Sequence, residues 1–214
     1  MKVRYERTNG EQPYLTNKKL YVIISIEFEN SIEQSGEYIR YILENDIGQI
    51  MPYKANMFEV ECSKLSSTWI FNKKNDNNYS IIPKDIAYNS FWEDFYNDDD
   101  IAVFKLLKVK SQIYLEDLSD SEIAEIINDA PEGKLELILN ALTQEKNDKF
   151  IEQVIDYCIL QLNQYSNESL LISAFKYLST FKKNKVEDFF IEFLSTTLTS
   201  NDELIQIVNR YFND

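Results

Sequence analysis

Through the first 64 residues, apolar and polar positions alternate in steps of two. Leu20, Val22, Ile24, Ile26 and Phe28 are all apolar, whereas the intervening set ends in Ser25, Glu27 and Glu29. That period belongs to a strand with one buried face. Val3 and Tyr5 alternate with Arg4 and Glu6, and Phe58, Val60 and Cys62 with Glu59 and Glu61. Asn9-Gly10 and Asn45-Asp46-Ile47-Gly48 carry turn chemistry that tolerates positive φ. The pattern predicts five strands, over 2–7, 19–29, 37–44, 48–53 and 58–63. A small closed or partly open barrel is the usual way to bury so short a set.

Residues 65–90 break the rhythm and read as a connector. Within it, Ser67–Phe71 and Tyr79–Ile82 flank a polar run, Asn72 to Asn78, that reads as an exposed hairpin tip or loop ending before Pro83. From residue 91 the period becomes helical. Leu135, Ile138, Leu139 and Leu142 fall at i, i+3, i+4 and i+7, as do Leu171, Ala174, Phe175 and Leu178. Val186, Phe189, Phe190 and Phe193 repeat the spacing, and so do Leu204, Ile207, Val208 and Tyr211. Phe150, Val154 and Cys158 make a stripe with Ile151, Ile155 and Ile159. Ser119 to Glu122 and Ser200 to Glu203 fit capping boxes, and Pro131 suits a first helical turn. Helices are expected near 88–97, 99–111, 119–129, 132–144, 148–164, 168–181, 185–198 and 201–212.

The helices also repeat. A shift of 36 places Leu135 on Leu171, Leu139 on Phe175, Leu142 on Leu178, Val154 on Phe190 and Cys158 on Leu194. Lys149 falls on Lys185 and Asp156 on Glu192, and a further step sets Ile207 and Tyr211 on Leu171 and Phe175. Paired amphipathic helices at such a period build an α-solenoid, although two clear copies also fit a five- or six-helix bundle. The fold class expected is therefore α+β, a small N-terminal five-stranded β-barrel followed by an all-α stack of helical hairpins. The expected divisions are 1–64, 65–90 and 91–214.

Leu15-Thr16-Asn17-Lys18-Lys19-Leu20-Tyr21, Ile26-Glu27, Tyr38 to Ile42, Asp46-Ile47-Gly48 and Met57-Phe58-Glu59-Val60 follow one another in an order that resembles the small Src-homology-3-like barrels of Gram-positive bacterial proteins. The likeness covers about 60 residues and implies a fold rather than a function. It departs from the pattern at Lys18, where glycine is usual. The C-terminal repeat loosely resembles HEAT-like repeats, with a shorter period.

Charge sharpens the division. Residues 1–90 hold 11 basic and 12 acidic side chains, a net of −1, whereas 91–214 hold 11 and 24, a net of −13. A field of that sign repels nucleic-acid phosphates and anionic membranes and draws basic partners. The chain has no histidine, which removes Ser-His and Cys-His nucleophile pairs and the commonest general base. Cys62 and Cys158 read as buried free thiols of a reducing cytoplasm. No apolar leader or spanning-length stretch occurs, so a cytoplasmic protein is expected.

Candidate chemistry is sparse. Asp98-Asp99-Asp100 reads as a helix cap rather than a metal site, and Glu93-Asp94 adds no phosphate-binding groove to it. Lys105, Lys108 and Lys110 read as a solvated helix face. No cofactor or metal is expected. Phe91-Trp92-Glu93-Asp94-Phe95-Tyr96 places four aromatics on one helical face, either as the seam that docks barrel on helices or as a partner surface. These observations point to a non-catalytic protein of unassigned role that binds a basic protein through its acidic helices, with a toxin-neutralising immunity protein as one form. The candidate contact residues are Glu152, Asp156, Asp188, Glu192, Trp92 and Tyr96. A carboxylate- and metal-dependent enzyme and an acidic nucleic-acid mimic are the alternatives.

Overall fold

The computed structural model describes residues 1–6, 12–31, 36–75, 77–129, 132–164, 168–196 and 202–213. Asn9-Gly10, Pro131 and, of the second capping box, Ser200 and Asn201 lie outside these. The chain forms two compact units, Met1–Asp117 and Leu118–Asp214.

The first unit is an open antiparallel sheet covered by helices. Its strands are β1 (Lys2–Tyr5), β2 (Leu20–Ser31), β3 (Gly36–Glu44), β4 (Ile50–Lys54), β5 (Phe58–Cys62), β6 (Trp69–Lys73) and β7 (Asn78–Pro83). They run β4-β3-β2-β1-β5, with β7 beside the second half of β2 and β6 outside β7. Because β2 is 12 residues long, one edge serves two partners, β1 at Leu20–Val22 and β7 at Ile26–Glu29. The expected five-stranded barrel, closed or partly open, is thus corrected to an open sheet of seven strands among the described residues. The expected connector supplies two of them: the apolar runs around the polar segment Asn72–Asn78 pair as a hairpin and join β2.

The expected single apolar face of β2 is also divided. Pairing with β3 slips between Ile23 and Ser25, a bulge that turns the strand's facing over by one residue. Tyr21, Ile23 and Ile26 pack in one core with Val3, Tyr5 and Leu43. Ile24 instead joins Ile42, Ile50, Ile82 and Ile86 in a second core on the opposite side. Tyr21 through Ile26 is an almost unbroken apolar run, which suits a strand buried on both faces.

Two helices close the second core: α1 (Phe91–Tyr96) and α2 (Asp100–Asp117). Phe91, Ala102, Leu106, Val109 and Ile113 are its helical members. These helices therefore belong with the sheet, and the division falls between Asp117 and Leu118 rather than at residue 91.

The second unit contains α3 (Asp120–Asp129), α4 (Glu132–Gln144), α5 (Ile151–Gln164), α6 (Glu168–Ser179), α7 (Asn184–Thr196) and α8 (Asp202–Asn213). Helices two apart in sequence pack side by side: α3 with α5 and α5 with α7, α4 with α6 and α6 with α8. Two layers result. Leu135, Leu171 and Ile207 are buried in all three copies of the repeat, and likewise Leu139, Phe175 and Tyr211, whereas of Cys158 and its counterpart Leu194 only Cys158 is buried.

Candidate partner-binding surface

The residues singled out from the sequence fall in both units. Trp92 and Tyr96 lie in the sheet unit, and the four acids lie in the helical unit. The aromatic pair works mainly as a seam between α1 and the sheet. Trp92 packs against the second core and meets Phe91 edge-on at 4.9 Å between ring centroids. Its indole N–H is buried and finds no hydrogen-bond partner among the described residues. Tyr96 is 53% exposed, yet its hydroxyl donates to the Ile50 carbonyl at 2.9 Å and pins α1 to β4.

Other expectations resolve around these helices. Asp99 Oδ1 accepts from the backbone N–H groups of Ile101 and Ala102, at 3.0 and 2.9 Å. The aspartate run caps α2, as expected. Asp94 accepts from the Ser90 hydroxyl at 2.9 Å at the start of α1. The lysines do not form one solvated face. Lys105 lies 4.7 Å from the Tyr88 ring centroid, and exposed Lys108 pairs with Asp85 at 3.5 Å. Lys110 is buried and donates to Glu44 at 2.6 Å, while the Tyr114 hydroxyl donates to the other oxygen of Glu44 at 2.8 Å. A buried ammonium needs such a partner, so this is a structural tie between α2 and β3. Burial and the Glu44 charge raise the Tyr114 pKa well above its ordinary value. Of the two thiols, Cys158 is buried and its pKa is raised by desolvation, whereas Cys62 is only half-buried, which corrects the expectation for that residue.

In the helical unit, Glu152 and Asp156 of α5 and Asp188 and Glu192 of α7 are all exposed. Glu152 and Asp188 are separated by 36 residues, as are Asp156 and Glu192, so neighbouring helices present the same pair of carboxylates. The unit holds 8 basic and 17 acidic side chains, a net of −9. Glu152 is not free, because it pairs with Lys185 of α7, and that hydrogen bond holds its carboxyl below the ordinary value. A similar joint stands one repeat earlier, where Lys149 meets Asp120 of α3 at 3.1 Å.

Sequence reasoning missed the apolar part of this surface. Ile159 of the apolar stripe and Leu194, the repeat counterpart of Cys158, are exposed, and Leu160 and Ile191 are exposed beside them. The i, i+4 stripe through Ile155 and Ile159 signals an apolar face without saying whether a neighbour covers it. Among the described residues no group of three carboxylate or thiol side chains is placed to hold a metal ion, and no helix is long and apolar enough to cross a membrane. Compared with protein-family models, with curated proteins and with solved structures, the chain gives no match in any of the three.

Proposed function

We propose that the chain is a non-catalytic binding protein whose exposed acidic face on α5 and α7 receives a basic protein. The observation that carries this reading is the repetition of Glu152-Asp156 as Asp188-Glu192 on adjacent, exposed helices of a unit with net charge −9. Like-signed charges on one face raise the encounter rate with an oppositely charged partner. The helical unit acts as a short α-solenoid in this reading, supported by the side-by-side packing of helices two apart. For the sheet unit, the Src-homology-3-like reading is supported by a 3₁₀ turn, Ala55–Met57, between β4 and β5, and by β2 serving two strand groups. Neutralisation of a basic toxin is the form this function takes when the partner is itself harmful to the cell.

The test uses a partner captured on the immobilised full chain, followed by binding kinetics at low and high salt. The association rate should fall about tenfold or more between 0.05 and 0.5 M salt, with a smaller change in dissociation. Asp156→Lys with Glu192→Lys should slow association, whereas Glu59→Lys at an exposed position of the sheet should not. Asp156 and Glu192 are chosen because reversal of Glu152 would also break its pair with Lys185. An association rate indifferent to salt and to these reversals would remove the electrostatic basis of the proposal.

A further inference from the structure

The two layers of the helical unit end differently. In the layer of α4, α6 and α8, Leu170, Ser173, Ala174 and Tyr177 of α6 are buried. Thirty-six residues on stand Gln206, Asn209, Arg210 and Asn213, all polar and exposed. α8 therefore presents water-compatible chemistry where α6 presents a packing surface, as a terminal repeat does.

The layer of α3, α5 and α7 lacks that substitution. On α5, Cys158 is fully buried and Ile155 half-buried. Their equivalents on α7 are Leu194 and Ile191, still apolar but 43% and 56% exposed. Each joint also has an ionic tie, with the lysine held to the repeat and the acid shifted within it. Asp120 of α3 is met by Lys149, just before α5, and Glu152 of α5, at the helix's first turn like Asp120, is met by Lys185, in the first turn of α7. Asp188 holds the place of Glu152 one repeat on, and it has no ion-pair partner among the described residues. α7 thus carries the seat of the next joint in the series: two apolar side chains and an acid, spaced as on α5.

We infer that this edge of α7 is the docking seat for one amphipathic helix of a basic partner protein, whose first turn supplies a lysine or arginine to Asp188 and whose apolar face covers Ile191 and Leu194. The inference rests on the protein-binding reading above and names the segment of the partner that would be held. The occupant's chemistry is read from the protein's own joints, where each incoming helix brings a lysine at its start to an acid of the helix already in place. A second copy fits less well, since pairing two α7 edges sets two acidic helix faces together. Ile191 and Leu194 at the centre with Asp188 at the rim follow the usual division of an interface into apolar core and polar border.

The test uses the full chain and a fluorescent peptide of residues 181–196, the segment that packs on α5, carrying Asp188→Lys and held helical by a lactam between that side chain and Glu192. Saturable binding is expected. Ile191→Glu or Leu194→Glu in the chain should weaken it by about tenfold or more, as for a central contact. Both side chains are exposed, so the variants should melt within a few degrees of the wild type. Asp188→Lys in the chain should also weaken binding, and a peptide carrying Lys185→Glu should recover most of the loss. Absence of saturable binding at millimolar peptide, equal binding by the edge variants, or failure of the charge exchange would overturn the inference. So would a concentration-dependent doubling of mass abolished by Leu194→Glu, because a second copy would then own the edge. Failure of the peptide with a preserved effect of Asp156→Lys and Glu192→Lys on a captured partner would sink this docking seat alone. The reverse result would sink the acidic-face reading and leave the seat standing.

Discussion

Lys18 shows how much a single position can disclose. Its φ is +66°, in the left-handed region that L side chains enter at a cost of roughly 1–2 kcal/mol. The sequence reading marked this position because the barrel pattern it resembles has glycine there, and the backbone takes the conformation glycine would favour. Lys18→Gly should therefore stabilise the chain by about 0.5–1 kcal/mol, after allowing for glycine's greater freedom when unfolded. The exposed Lys18–Glu6 pair contributes little against this. Chemical denaturation reads the change directly, and a loss of stability would count against the strain. Asp46 was legible as turn chemistry but not as an ionic anchor. Burial alone would raise its pKa, yet hydrogen bonds from Lys19, Thr16 and Tyr21 hold it below the ordinary 3.8. A depressed carboxyl lends stability above its unfolded pKa and loses it as pH falls through the folded value. The stability gap between wild type and Asp46→Asn should accordingly be full above pH about 5 and close on acidification below about 4. A gap unchanged down to pH 2 would exclude the linkage. Lys110 was illegible for a plainer reason: its partner, Glu44, lies 66 residues away.

At the scale of elements, local signals served well wherever both partners lie within a turn of each other. Ser119 and Glu122 form the reciprocal cap expected at α3, with the Ser119 N–H donating to Glu122 at 2.7 Å and the Glu122 N–H donating to Ser119 Oγ at 3.3 Å. Ser119→Ala should cost about 1 kcal/mol, the usual effect of losing an N-cap oxygen. Ser119→Asp should restore most of that, and denaturant midpoints of the three chains provide the comparison. The bulge in β2 was not legible, because strict alternation through Ile24, Ile26 and Phe28 says nothing of where a partner strand slips. Only the apolar run Tyr21–Ile26 hinted that both faces are covered. The hairpin of β6 and β7 was half legible: its polar tip stood out, but neither strand alternates cleanly, and the pairing with β2 is long-range. Likewise α2 gave its start but neither its extent, expected to stop at 111 and running on to Asp117, nor its owner. Its apolar residues run nearly all the way round, with Ile101 and Phe104 exposed opposite Leu106 and Val109, so periodicity could not choose the face that packs.

At the scale of the whole molecule, the 36-residue repeat was readable because its core positions recur in every copy, whereas the boundary between units was not. Period and charge both change near residue 91, but the sheet needs α1 and α2 to cover its second face. Phe91, Leu106, Val109 and Ile113 with Ala102 fill the core that Ile24, Ile42, Ile50 and Ile82 begin. Burying each large apolar side chain contributes about 1.5–3 kcal/mol, so the four together supply on the order of 10 kcal/mol before any allowance for a compact unfolded chain. That is comparable to the entire net stability of a small domain, about 5–15 kcal/mol. A fragment of residues 1–117 should therefore fold cooperatively, with dispersed amide resonances and a single denaturation transition. A fragment of residues 1–90, cut where the sequence pattern changes, should lack that transition and aggregate through its uncovered isoleucines. Polar substitution of Leu106 in the longer fragment should push it towards the behaviour of the shorter one, while Phe104→Ser on the exposed side should not. If residues 1–90 instead melt cooperatively at the same temperature as 1–117, the helical cover is dispensable and the sheet is a domain without it.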